Sequence, residues 1–287
     1  FAILFPLSIL GTVIAWRTIR PDTDLKSVPV DSGGAITLAI ATLGFLLYLE
    51  FGGRNGFGAT VPLLLALSAV VGFVAFIRIE RTTKQPMIRL DYFSRRDFTG
   101  PLLCQPLSQF AYMGGFLIAP ILLSSLFDYS VGTVALILLF RPAFYSVFSP
   151  IGGRLAGRFG ERVFLLLGSV LMVASMASWV AGSHWTNLGL VILGLILSGV
   201  AMGLASPSYS TAVANAADPA DLGVANGMSS TLMNIGMLSG IQSMFVVLGE
   251  GRGPDDFART FVFGGVVAAV GAVGALIMRR HPEVTDN

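Results

Sequence analysis

The sequence predicts an all-α, polytopic transmembrane helical bundle. Three observations carry that prediction. Apolar residues make up 54% of the 287 residues and charged residues only 12%, whereas a soluble domain carries about 25% charge. The apolar residues gather into runs that approach or exceed the roughly 20 residues needed to cross a bilayer. Basic residues fall almost only in every second gap between those runs.

Eight complete runs are read, at 34–51, 60–77, 98–126, 131–150, 163–182, 188–210, 224–248 and 261–278. A ninth, 1–16, opens the chain. It lacks the preceding basic region and following small-residue cleavage site of a signal peptide. It therefore reads as the remnant of a spanning helix, and the chain as the C-terminal piece of something longer. The runs are too long, and too free of period-two alternation, for barrel strands.

The basic gaps orient the bundle. Of the 18 Lys and Arg, 14 lie after the first run, in 78–97, in 151–162 and in the tail. Three lie on the opposite side: Arg54, Arg252 and Arg259. Basic loops stay cytoplasmic, so the tail 281–287 is expected inside a multi-pass cell membrane protein. One inner loop, 211–223, runs against this trend, with Asp218 and Asp221 and no base. The gap 78–97 is the longest and most charged, and reads as a cytoplasmic linker between two helices at 34–77 and six at 98–280. Six consecutive spans suit a transporter half built from two inverted three-helix repeats.

Several chemistries have no footing. The single Cys104 lies in an apolar run, and His184 and His281 stand far apart, so neither a disulfide framework nor a metal cluster is expected. No phosphate-binding G-x-x-x-x-G-K-[ST] loop occurs, which leaves ATP-driven pumping without support. No cofactor and no nucleic-acid partner are expected, and an enzyme is the least favoured reading. The partners implied are the bilayer and a small-molecule substrate.

Certain local patterns are more specific. The loop Gly153-Arg154-Leu155-Ala156-Gly157-Arg158-Phe159-Gly160-Glu161-Arg162 combines glycines that permit a sharp turn with arginines able to bridge carboxylates and helix ends. It resembles the signature loop of the major facilitator superfamily, G-x-L-a-D-R-x-G-R-[RK], at Gly153, Leu155, Ala156, Arg158, Gly160 and Arg162. It departs where Gly157 stands for the acid and Glu161 for a base. Val30-Asp31-Ser32-Gly33-Gly34, Glu50-Phe51-Gly52-Gly53, the stretch Glu80–Phe98, and Gly223–Gly227 with Asn234, Gly236 and Gly240 resemble in order and spacing the fourteen-spanner drug:proton antiporters of EmrB/QacA type. Phe5-Pro6 resembles the start of that branch's sixth helix.

The resemblance implies a partial major facilitator fold. In it 1–16 is the remnant of the sixth helix and 34–77 holds two extra linker helices. Gly153, Arg154, Arg158, Gly160 and Arg162 form a conformational latch on the inner side. It further implies proton-coupled efflux of amphipathic compounds by alternating access, energised by the proton gradient, with an N-terminal half of the same transporter as partner. The alternative is an importer or symporter of a small metabolite, and Arg141 would suit an anionic one.

Inside the runs, Arg141 is the one deep charge. At mid-bilayer an unpaired arginine costs anywhere from about 2.5 to about 17 kcal/mol. It needs a partner: a carboxylate, an anionic substrate, or carbonyls freed by the neighbouring Pro142. Gln105, Gln109 and Tyr112 share one helix face, while Met202 and Tyr209 occupy another run and Asn234 a third. These seven are the candidate substrate-binding residues. Gly236 and Gly240 have the spacing of a close helix crossing, and Trp16, Trp179 and Trp185 read as interface anchors.

The topology is testable with single cysteines placed at Arg54 and Arg158. A membrane-impermeant thiol reagent applied outside the cell should label the first and spare the second; the reverse pattern would overturn the orientation.

Overall fold

The computed structural model describes residues 4–18, 31–83, 86 and 88–278. The chain divides into two units, residues 1–30 and 31–287. The first holds helix α1 (Leu4–Thr18). The second holds α2 (Ser32–Asn55), α3 (Thr60–Thr82), α4 (Arg96–Phe127), α5 (Val131–Leu138), α6 (Phe140–Phe159), α7 (Glu161–His184), α8 (Leu188–Ala216), α9 (Leu222–Leu248) and α10 (Pro254–Ile277). Short 3-10 turns at Leu90–Ser94 and Pro219–Asp221 complete it. Among the described residues no strand occurs, and eight spans are long and apolar enough to cross a membrane.

Local chemistry sets many of the helix starts. Asp31 caps α2 by accepting from the Gly34 N–H at 2.8 Å. Ser130 caps α5 and Asn187 caps α8 in the same way. Each cap satisfies an N–H that the helix cannot pair internally. Asp256 closes the start of α10 by accepting from the Gly253 N–H at 3.1 Å and pairs with Arg259 at 2.7 Å.

Two boundaries differ from the sequence expectation. The run 131–150 is interrupted at Leu139, between α5 and α6. Pro142 has no N–H to offer the Leu138 carbonyl, so the helical ladder is weakened there. Beyond residue 150 the helix then continues through Gly153 and Gly157 to Phe159, and only Gly160 forms the connection to α7. Gly160 sits at φ 83°, a left-handed conformation that glycine adopts without penalty. The tight turn belongs to Gly160 rather than Gly153, whose nearest obstacle to a Cβ is Pro207 at 3.6 Å.

The bundle repeats its own pairings. In the triplet α4, α5–α6, α7 and the triplet α8, α9, α10, helix α6 packs on α8 and α9 packs on α4. Likewise α7 packs on α8 and α10 packs on α4, while α7 meets α10 and α4 meets α8. Because α4 and α8 start at opposite ends, the two triplets are related by inversion, the arrangement common in secondary transporters. Helices α2 and α3 pair with each other, and α2 lies against α9.

Small residues let these helices approach closely. A Cβ on Gly236 would fall 2.2 Å from the Pro106 carbonyl oxygen, and one on Gly240 would fall 2.2 Å from that of Phe110. Between α7 and α8, hydrogen bonds replace the hydrophobic drive that lipid removes. Ser175 donates to the Gly194 carbonyl at 2.7 Å, Ser178 to that of Leu190 at 2.8 Å, and Trp179 Nε1 to that of Val191 at 2.9 Å. Trp179 is therefore a core residue and not an interface anchor, whereas Trp16 and Trp185 are exposed.

Gly236→Leu and Gly240→Leu should each lower stability by about 1–3 kcal/mol, because the added side chain meets backbone that cannot yield without moving α4. Melting curves of the purified protein in detergent test this. Unchanged melting would mean that α4 and α9 do not pack through these glycines.

Candidate functional site

Arg141 lies in the first turn of α6 with its side chain against α4. It is 2% exposed. Its Nη2 donates to the Tyr112 carbonyl at 2.6 Å. The guanidinium carbon sits 3.3 Å from the Tyr112 ring centroid and 4.4 Å from that of Phe116. A π face attracts a cation, more strongly where water is excluded. Nε and Nη1 find no hydrogen-bond partner among the described residues, and no carboxylate approaches. Of the three partners the sequence left open, the structure supplies a backbone carbonyl. That carbonyl comes from α4, not from the residues freed by Pro142.

Around this guanidinium runs a polar seam. Helices α4 and α6 scarcely touch each other, although both pack on α8. Gln109 lies one turn from Tyr112 on the same face of α4, and its Oε1 is buried without a partner among the described residues. Tyr145, one turn beyond Arg141 on α6, donates to Ser206 Oγ of α8 at 3.3 Å. Tyr145 and Phe116 went unnoticed in the sequence, although the offset of four from Arg141 marks Tyr145 as a residue on the same helix face.

The remaining candidates sit elsewhere. Gln105 accepts from Ser229 of α9 at 2.6 Å and is buried. Tyr209 donates to Ser108 at 3.0 Å and meets Cys104 Sγ at 3.6 Å, with Ser169 on the far side of that thiol at 3.3 Å. Met202 packs in the same core, and Asn234 is exposed on α9. The structure thus brings Tyr112 against Arg141, with Gln109 one turn away on α4, and gives Gln105, Met202, Tyr209 and Asn234 other surroundings.

The residues read as a latch occupy the end of α6 and the start of α7. Arg154 and Arg158 are one turn apart on α6, and Arg158 lies 5.6 Å from the Phe159 ring. Arg162 Nη2 donates to the Leu276 carbonyl at 3.0 Å, where α10 ends and its unpaired carbonyls attract a cation. Glu161 accepts from Asn215 of α8 at 2.8 Å.

The acidic loop that broke the charge pattern has a basic counterpart. Tyr92 is buried, and its hydroxyl proton is shared between Asp221 at 2.7 Å and Asp218 at 2.9 Å. Arg89 pairs with Asp221 at 2.9 Å and Arg95 with Asp218 at 3.3 Å. Both guanidiniums also lie over the Tyr92 ring, at 5.3 and 4.5 Å. The linker ahead of α4 is thereby clamped to the α8–α9 turn. The Arg95 and Tyr92 hydrogen bonds hold the Asp218 carboxyl below its usual range. Burial, then the bond to Asp221, keeps the Tyr92 hydroxyl protonated above its usual range.

Residues 103–287 match the Major Facilitator Superfamily. The chain belongs to that family. Membership places it among transporters rather than enzymes, and the inverted helix triplets agree. Over 303 aligned residues it is 26% identical to the "Multidrug resistance protein Stp" of Mycobacterium tuberculosis, covering 100% of this chain and 56% of the relative. It is 25% identical to the "Multidrug export protein EmrB" of Haemophilus influenzae, over 60% of this chain and 34% of that one. The "Methylenomycin A resistance protein" of Streptomyces coelicolor is 25% identical over 99% of this chain and 60% of its own length. The chain spans about half the length of the curated relatives it matches.

The clamp of this superfamily member has a defined pH response. A carboxyl whose folded pKa is depressed below 3.8 stabilises the fold above that value and loses the contribution as pH falls through the depressed value. Asp218→Asn should therefore melt below wild type at neutral pH, with the gap closing only in acid beneath the usual carboxylate range. A gap independent of pH would remove ionic pairing as the cause.

Proposed function

We infer that this chain is the C-terminal portion of a fourteen-spanner exporter that expels amphipathic organic compounds in exchange for protons. The basic end of the bundle faces the cytoplasm of the cell membrane, with the C-terminal tail on that side. The two helix triplets rock as one body against an N-terminal half, alternately opening a mid-membrane site to either face. Residues 1–16 would complete the sixth helix of that missing half, α2 and α3 would be the two extra helices, and 78–97 the linker.

The observation that carries this reading is the α4–α6 seam. A charged guanidinium with spare donors, held mid-span between helices that barely meet, suits a site where polar parts of a ligand are received. The names of these relatives, which concern multidrug resistance and export, support the direction. Among the described residues no carboxylate lies deep in α4–α10. The coupling carboxylate of the proton step is accordingly assigned to the N-terminal half, and protonation there would favour one face-open state over the other. Arg141 also fits the second reading, uptake of a small anionic metabolite.

Transport by the full-length protein in sealed vesicles, with and without an imposed pH gradient, decides between them. Drug movement driven by the gradient against the proton flow is expected. Arg141→Lys should insert normally and slow transport about tenfold, the equivalent of one charge-assisted bond of roughly 1.5 kcal/mol, since lysine lacks the planar fork. Arg141→Leu should insert equally well and transport less. Wild-type rates in both variants would sink the site, and loss of folding in the leucine variant would make Arg141 structural.

A further inference from the structure

At the basic end of the bundle, α4 and α7 begin where α10 ends, around a cleft of about 910 Å³. Its polar wall carries Arg95, Arg96 and Arg162, and its mouth carries the exposed apolar side chains of Phe159, Val163 and Leu276. Arg162 spends only Nη2 on the Leu276 carbonyl, and its Nε is buried without a partner among the described residues. Arg96 is exposed and makes no ion pair among those residues. The two acids in the wall are engaged: Glu161 by Asn215, and Asp97 by an interaction of its own. Two more arginines, Arg279 and Arg280, follow in the sequence.

Depth and shape narrow the ligand. Helix α7 has 24 residues, about 36 Å at 1.5 Å per residue, and so overreaches a hydrocarbon core about 30 Å thick. Its first turn carries Glu161 and Arg162, charges that belong at the level of lipid headgroups. From the cleft an apolar track leads away along the outer faces of α7 and α10, through the exposed Val170, Val273 and Val266. A cationic pocket at headgroup depth, continuous with an apolar track, matches an amphiphile with an anionic head.

We propose that this cleft binds a phosphate anion, held by the guanidiniums of Arg162 and Arg96. Phosphate oxygens match the fork of donors on arginine, and the exposed Arg96 and the Nη1 of Arg162 remain to donate to them. The chemistry is shared by the phosphodiester of an anionic phospholipid and by a soluble phosphate. The apolar mouth leads us to expect the lipid. The proposal stands independently of what is transported, because it concerns the outer rim of the bundle and not the α4–α6 seam.

The test uses the purified chain in mild detergent, with native mass spectrometry and melting curves on adding phosphatidylglycerol, phosphatidylcholine or inorganic phosphate. Retention of phosphatidylglycerol over phosphatidylcholine, weakened at least tenfold in the double variant Arg96→Gln with Arg162→Gln but not in Arg54→Gln, supports a lipid site. Inorganic phosphate raising the melting temperature as much as phosphatidylglycerol, and losing that effect in the same double variant, supports the site with a soluble ligand. Should the double variant fold poorly, Leu276→Trp, which fills the mouth and keeps both arginines, must still reduce lipid retention. Equal retention of both lipids together with no stabilisation by inorganic phosphate, or binding of phosphatidylglycerol or phosphate undiminished in the folded variants, overturns the proposal.

Discussion

Lipid offers no hydrogen-bond partners, so a chain crossing it must satisfy its backbone from within. That constraint governs the molecule from its overall architecture to single side chains. It makes helices the only regular structure among the described residues. It also explains where buried polar side chains go. Ser175, Ser178 and Trp179 of α7 all donate to carbonyls of α8, and Arg141 donates to a carbonyl of α4. These carbonyls already accept within their helices and have a second lone pair to give.

The inverted pairing of the two triplets decides where a seam can open. Helices α4 and α8 each hold two outer partners and also face each other. That leaves α6 bound to α8 and separated from α4, and the polar side chains of Gln109, Arg141 and Tyr145 collect along the gap. The counterpart of α6 on α8 is α9 on α4, a contact made through Gly236 and Gly240, which bring backbone to backbone.

Much of this was legible in the sequence, because membrane helices obey a simple pattern. The apolar runs and basic gaps anticipated every span of the second unit, and the glycine spacing in α9 anticipated its close crossing. Boundaries were less legible. Ile151–Phe159 reads as a loop because it carries Arg154 and Arg158, yet a helix emerging from lipid keeps its internal bonds, and only Gly160 needs a special conformation. Trp179 reads as an anchor by its place near a run's end, but Gly115 and Gly194 leave its indole a slot in the core. The site was half legible. The charge of Arg141 announced itself, whereas its partner, a main-chain oxygen under two aromatic rings, leaves no trace in residue identity. Asp218 and Asp221 were visible only as an exception to the charge rule. Their meaning depends on Arg89 and Arg95, more than 120 residues away in sequence.

The Tyr92 clamp has a mechanical consequence for α2 and α3. At the opposite end of the bundle Glu50 of α2 accepts from Gln242 of α9. At the basic end α3 leads into the linker that Tyr92, Arg89 and Arg95 fasten to the turn preceding α9. One attachment would leave the helix pair free to pivot like a door. Two attachments, separated by the length of a span, remove that freedom. Helices α2 and α3 are thus splinted to α9 at both ends, and a tilt of α9 would carry them with it.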